Sequence, residues 1–355
     1  MRVARAAAAA MICTGLAACG SAGPGGSSGT AGAADQSVSF TVNGTTTYGT
    51  LHIPAHRSGQ RLAAALLLAG SGPTDRNGDQ TAAGLEPHTL QLIAGVLGRS
   101  GVMTLRFDKY FSGQTGAGAF AARPSAIDLA AFIRQADAAY DFLRAQPDAD
   151  PRRMLVAGHS EGGMYALLVA GSVSPRPAGL ALIEPQDERF LSLIQLQTDE
   201  QLDAAAARSS ITAATARQNA QAVQQAIAAF RAGQPVDTTG MLSSVVSLIS
   251  PILLSPVNAR YVRSDDAVYP PEVAARLARG TRVLVTEGTA DQNVPPRTVT
   301  PLVQALGAAG TTGPGLRMLD GVNHLLHPAG TPNDTQVLAP SAEAALQEWA
   351  RPYTP

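Results

Sequence analysis

Short apolar runs alternate with segments of helical spacing over most of the chain. Leu62–Leu68 (LAAALLL) has no polar position, the pattern of a strand buried on both faces. Val102–Phe107, Met154–Ala157, Gly179–Ile183, Thr281–Thr286 and Leu316–Leu319 are further short runs that predict strands. Between them, His88–Arg99 sets Leu90, Ile93 and Leu97 at helical spacing and stops at Gly101. Asp128–Leu143 places Leu129, Phe132, Ile133, Ala136, Tyr140 and Leu143 on one side of a long helix. Arg297–Leu306 and Ser341–Ala350 predict two more helices. Ahead of all these, Val38–Val42 and Tyr48–Ile53 alternate around Asn43-Gly44, which predicts a hairpin.

Strands that alternate with helices call for an α/β domain with a mostly parallel central sheet flanked by helices. The alternation stops between Gln186 and about Arg263. That segment is helical by composition, is broken at Gly233-Gln234-Pro235, and then runs through the apolar stretch VVSLISPILL. It predicts a helical insertion over 186–263, placed as a cap over the site and supplying an apolar acyl pocket.

The first residues have a different pattern. Arg2 and Arg5 precede a short apolar run, Ala6–Leu16, which ends in Leu16-Ala17-Ala18-Cys19. The run is too short for a stable membrane span and has the form of an export signal. LAAC at its end resembles a bacterial lipoprotein lipobox, and that resemblance implies cleavage before Cys19 and lipidation of its thiol. An ordinary signal peptide cut at a nearby small residue is the alternative. The segment 20–36 is rich in Gly, Ser and Ala without periodicity, as a flexible tether would be. The expected organisation is a signal peptide over 1–19, a tether over 20–36 and a folded domain over 37–355. The expected location is outside the cytoplasm, with the membrane reached only through the lipid.

Composition narrows the chemistry. The net charge is −1 with no basic block, so nothing favours nucleic acid. The two cysteines are Cys13 and Cys19, so the body carries no thiolate metal site and no cysteine nucleophile. No metal or cofactor is expected.

Gly158-His159-Ser160-Glu161-Gly162 is a G-x-S-x-G pattern. In a chain with 35 glycines the pattern alone is weak. Its place between the apolar run Met154–Ala157 and an apolar helix starting near Gly162 is the context in which such a turn lifts a serine clear of a sheet. A serine hydroxyl needs a general base, and the base needs an orienting acid. In an open α/β sheet both belong just beyond strand ends. Asp291 follows Thr281–Thr286, and His324 follows Leu316–Leu319. Ser160, Asp291, His324 is the chain order expected of this arrangement. His327 is the competing base, and Glu184 and Glu287 are the fallback acids. His159 neighbours Ser160, so its side chain is expected to point elsewhere. A developing oxyanion needs preorganised donors. The backbone N–H of Glu161 is one candidate, and the N–H of Ser71 in the loop Gly70-Ser71-Gly72 is the other. Asp75, Arg76 and Asp79 are expected to pin that loop through local bonds.

These motifs resemble a bacterial α/β-hydrolase group with esterase members. The likeness lies in Gly70-Ser71-Gly72-Pro73 with Asp75-Arg76-Asn77-Gly78, in Leu105–Lys109, in Gly158–Gly163, in Gly288–Pro295 and in Gly321–Leu326. It implies the α/β-hydrolase fold, with nucleophile, acid and base at Ser160, Asp291 and His324. It also implies activity on short acyl esters, with aminopeptidase relatives. One departure is Tyr110-Phe111 after Asp108-Lys109, where the group continues Arg-Gly. That loop is expected to border the site and alter substrate preference.

The expected protein is therefore a serine hydrolase that cleaves a small-molecule carboxylic ester through an acyl-enzyme. An aminopeptidase or acyltransferase on the same scaffold is the alternative, with Asp199, Glu200 and Asp203 as candidate amine ligands. A non-catalytic binding lipoprotein is the more distant one.

Overall fold

A computed structural model describes residues 29–354. The export signal, Cys19 and the first part of the tether lie outside the described residues. The described part of the tether is not all coil. Thr30–Ala31 pairs with His56–Arg57, and the first long strand starts at Ala34, inside the segment expected to be tether. The backbone of 34–36 bonds to the strand beside it, which composition alone does not reveal.

The sheet has eight strands in the order β8-β7-β6-β5-β3-β4-β2-β1. They are β1 (Ala34–Val42), β2 (Thr45–Ile53), β3 (Leu62–Leu68), β4 (Met103–Phe107), β5 (Ala149–His159), β6 (Gly179–Ile183), β7 (Arg282–Gly288) and β8 (Thr312–Leu319). β1 and β2 form the predicted hairpin, and β2 pairs antiparallel with β4. From β4 to β8 every pairing is parallel. The C-terminal ends of β3, β5, β6, β7 and β8 thus share one edge, where the candidate residues follow them.

Both faces of this sheet are covered, which explains the apolar runs. In β3, Leu62, Ala64, Leu66 and Leu68 pack on one side, and Ala63, Ala65 and Leu67 on the other. The first side is closed by α2 (Leu129–Arg144), α3 (Glu161–Ser172) and α9 (Thr300–Ala308), the second by α1 (Thr89–Arg99) and α10 (Pro340–Ala350). Asp128 caps α2 by accepting the Ala131 N–H at 3.1 Å, a bond that typically stabilises a helix by about 1 kcal/mol.

The insertion is helical, as its composition predicts. It comprises α4 (Phe190–Ala207), α5 (Ala213–Ala232), α6 (Ser243–Ile249) with a π-helical turn over Ser250–Leu254, and α7 (Ala259–Asp266). The short α8 (Pro270–Ala274) leads back to the sheet. The insertion has its own apolar core, in which Val223, Ile227 and Phe230 of α5 meet Val245, Ile249 and Leu253. The VVSLISPILL stretch is thus spent largely on holding the cap together. Polar contacts dock the cap on the sheet domain. Arg260 pairs with Asp128 at 2.7 Å, Arg297 pairs with Glu200, and Gln197 Nε2 donates to the Asn293 carbonyl at 2.6 Å.

Candidate active site

Ser160 stands between β5 and α3 with φ 57° and ψ −125°, a region that non-glycine residues rarely occupy. Three backbone bonds hold it there. Its N–H donates to the Ile183 carbonyl at 2.9 Å, and its carbonyl accepts from Gly163 at 2.8 Å and Gln186 at 2.9 Å. The turn is tight enough to exclude side chains beside it. A Cβ on Gly158 would lie 1.8 Å from the Gly162 oxygen, and one on Gly162 would lie 2.3 Å from the Leu68 oxygen. Both obstacles are backbone, so no rotamer change relieves them. The Ser160 hydroxyl makes no capping bond to α3 and is left to a cavity of about 490 Å³ at the strand-end edge.

His324 reaches the same cavity from the loop after β8. Its Nδ1 donates to Asp291 Oδ2 at 2.7 Å. Asp291 follows β7, and its Oδ1 accepts from the N–H groups of Asn293 at 2.7 Å and Val294 at 2.9 Å. The carboxylate is thus aimed by its own loop. Burial works against a charged His324, but the Asp291 charge and hydrogen bond, with Glu184 behind them, outweigh it and raise its pKa. With Nδ1 committed to Asp291, Nε2 is the nitrogen that can accept a proton.

His159 does more than the sequence suggests. Its Nε2 donates to the His324 backbone carbonyl at 2.7 Å, and the two rings lie 4.9 Å apart. Burial and the adjacent His324 push its pKa down to about 3, so it stays neutral and serves as a fixed donor. This bond spans 165 residues, and the sequence carries no local sign of it. The competing His327 is turned away, with Nδ1 bonded to the Val337 carbonyl at 3.0 Å.

The fallback acids lie behind Asp291. Glu184 Oε2 accepts the Gly288 N–H at 2.5 Å, and burial with the Asp291 charge pushes Glu184 up to about 8. Glu287 is pushed up to about 10, first by burial and then by the Glu184 and Asp291 charges. Ligand oxygens of Glu184, Glu287 and Asp291 lie within 4.8 Å of one another, the one such gathering among the described residues. Protons on the two glutamates relieve the crowding of charge. His324 bonds neither glutamate, so the geometry couples it to Asp291 alone.

The glycine loop after β3 lies against the nucleophile turn. A Cβ on Gly70 would come 3.1 Å from Ser160 Cβ. Ser71 lines the cavity, and among the described residues neither the Ser71 N–H nor the Glu161 N–H has a protein acceptor. Local bonds pin the loop as expected. Asp75 Oδ1 accepts from the N–H groups of Asn77 and Asp79 at 2.8 and 3.0 Å. Arg76 pairs with Asp108 at 2.6 Å, and Asp79 bonds the His88 ring at 2.7 Å.

One expectation fails here. The Tyr110-Phe111 loop does not line the cavity, because Tyr110 is buried edge-on against Phe120 and Phe132. The insertion does supply apolar lining, through Phe190, Leu193 and Ile194 of α4 and not through VVSLISPILL, and Leu85, Leu90, Val294 and Leu325 of the sheet domain add to it. Neutral amides line the cavity as well, among them Gln80, Gln186, Gln292 and Asn323. Among the described residues no Asp, Glu, Lys or Arg lines the cavity. Asp199 accepts instead from Gln195 at 2.7 Å, and Glu200 pairs with Arg297.

No family model and no curated protein sequence matches the chain. Solved structures do. Est1E from Butyrivibrio proteoclasticus, with ferulic acid bound, is 15% identical over 89% of this chain and 98% of its own, with a TM-score of 0.55. The Pyrococcus furiosus esterase Pf2001 is 12% identical over 91% of this chain and 94% of its own, with a TM-score of 0.52. EstE5, in crystals soaked with p-nitrophenyl butyrate, is 17% identical over 90% and 85%, with a TM-score of 0.51. Likeness this remote in sequence speaks to architecture. With its parallel strands, its antiparallel hairpin edge and helices on both faces, the chain has the α/β-hydrolase fold.

Proposed function

We propose that the protein is a serine hydrolase that cleaves neutral carboxylic esters through an acyl-enzyme. The observation that carries this reading is the convergence of a strained, uncapped Ser160 and an Asp291-oriented His324 on one cavity with an uncharged wall. In the proposed cycle Ser160 Oγ attacks the ester carbonyl while His324 Nε2 takes its proton. The N–H groups of Ser71 and Glu161 hold the resulting oxyanion. His324 returns the proton to the leaving alcohol, and water then repeats the sequence on the acyl-enzyme. Asp291 keeps the imidazole in the tautomer whose Nε2 is the acceptor.

The wall favours an apolar acyl group against Phe190, Leu193 and Ile194, with the alcohol portion among the amides. An ammonium group would lose its hydration there without gaining a carboxylate, and an unpaired buried charge costs several kcal/mol. This weighs against an aminopeptidase. The esterase activity named for Pf2001 supports the ester reading. A panel of p-nitrophenyl esters with neutral, carboxylate-bearing and ammonium-bearing acyl chains tests it. Neutral esters are expected to lead in kcat/KM by about tenfold or more. Faster turnover of an aminoacyl p-nitroanilide would defeat the esterase reading.

Export and anchoring through a lipidated Cys19 belong to the same proposal, supported by the sequence pattern of Arg2 and Arg5, the apolar run Ala6–Leu16 and LAAC. Replacing Cys19 with serine is expected to move the protein from the membrane fraction to the soluble one on fractionation. Retention in the membrane would remove the anchor from the proposal.

A further inference from the structure

Lys109 is the only lysine in a chain with 26 basic residues, the rest being arginine. It follows β4 and is 3% exposed. Its ammonium donates to the Gly70 carbonyl and to Glu161 Oε2, the latter at 3.3 Å. The rings of Phe132 and Tyr165 stand over it at 5.7 and 5.8 Å. The other oxygen of Glu161 accepts from the hydroxyl of Tyr261, which belongs to α7 of the cap.

The Tyr261 hydroxyl also donates to Asp265 Oδ2 at 3.2 Å and meets the Tyr165 hydroxyl at 2.9 Å. Burial together with the Glu161 charge raises the pKa of Asp265 well above the carboxylate range. Gln186 closes the cluster by donating Nε2 to Asp265 Oδ1 at 3.0 Å and its N–H to the Ser160 carbonyl. The side chains of Lys109, Glu161, Tyr261 and Asp265 stand behind the cavity and are not part of its lining.

We propose that Lys109 is the positioning residue of the oxyanion hole, aiming the Ser71 N–H by holding the Gly70 carbonyl, with Glu161 and Tyr261 of the cap holding Lys109. The proposal rests on the Ser160 hydrolase reading. In a trans peptide the C=O and N–H of one plane point in opposite directions. Fixing the Gly70 oxygen on Lys109 therefore fixes the direction of the Ser71 N–H. The following plane is held too, since the Ser71 carbonyl accepts from Thr74 Oγ1 at 2.8 Å and Gln80 Nε2 at 2.9 Å. A donor held in place before the oxyanion forms costs no reorganisation when it does. The compact ammonium suits the role, because its three rotatable donors serve the Gly70 carbonyl and the Glu161 carboxylate from one point.

The test compares wild type with Lys109→Met on a p-nitrophenyl ester and on the matching trifluoromethyl ketone, which forms a tetrahedral oxyanion on the serine. With substrate, kcat is expected to fall about 30- to 100-fold while KM stays within about twofold. The ketone should bind more weakly by the same factor as the loss in kcat/KM, and the product acid should bind as before. A folded variant with wild-type kcat, or one altered only in KM, would overturn the proposal. If Lys109→Met does not fold, Tyr261→Phe takes its place, with kcat expected to fall about threefold or more at constant KM. An unchanged kcat there would also overturn it. A fluorophosphonate separates this outcome from failure of the underlying reading. Wild type that is not labelled at Ser160 is no serine hydrolase, whereas labelling of Lys109→Met at the wild-type rate defeats Lys109 alone.

Discussion

Replacing Ser160 with alanine is expected to lower kcat/KM on a p-nitrophenyl ester by about 10⁴- to 10⁶-fold. On the proposed mechanism the loss is this large because the hydroxyl is the atom that forms the acyl bond, and the other hydroxyls lining the cavity, those of Ser71, Thr74 and Thr89, do not stand on the strained turn between β5 and α3. Fold and binding should survive. The substitution removes one oxygen that makes no capping bond, and alanine can be held by the same three backbone bonds at that turn. The expected signature is thus a collapse of kcat, near-normal affinity for the product acid, and no labelling by a fluorophosphonate. Undiminished turnover and labelling would show that another residue does the chemistry.

The second large effect is expected at Asp291. Asp291→Asn keeps the shape of the site but reverses the bond to His324, since an amide nitrogen there favours an imidazole with Nδ1 unprotonated. Nε2 then carries the hydrogen and cannot take the serine proton, and kcat should fall about 10³- to 10⁴-fold. The pH profile gives an independent check. In the proposed cycle His324 works as the neutral base, so activity is expected to be lost as pH falls through its folded pKa. In wild type Asp291 raises that pKa, which puts the acid limb above the ordinary histidine value of about 6.5. Without the Asp291 charge, burial dominates, and the residual activity should persist to lower pH. Glu184→Gln, tested beside it, is expected to keep most of the activity. A larger loss there than in Asp291→Asn would move the acid role to Glu184.

The fold is legible in the sequence where the signal is local. β3 and β6 are legible to the residue, because strands buried on both faces leave continuous apolar runs between turn residues. The apolar run of β5 starts only at Met154, whereas the strand starts at Ala149. Its first half carries Asp150, Arg152 and Arg153, charges that pair with one another and resemble a loop in sequence. The chain positions of Ser160, Asp291 and His324 were legible from strand ends. What supports them was not, since the His159–His324 and Lys109–Gly70 contacts join residues far apart in the chain. The direction of Tyr110 was hidden for a related reason. An aromatic residue in a loop after a strand reads the same whether it faces a cavity or a neighbouring helix.

The separate apolar core of the insertion bears on how this protein can change over evolutionary time. Residues that share no contacts contribute to stability almost independently. Val223, Ile227, Phe230 and Ile249 can therefore be repacked, and the shape of the acyl wall on α4 reset, without drawing on the cores that hold the strand ends in register. Substrate range is free to drift while the chemistry stays fixed. That freedom stops at α7, where Tyr261 reaches through to Glu161 and also bonds Asp265. Descendants of this chain can be expected to vary over most of the cap and to keep those two side chains.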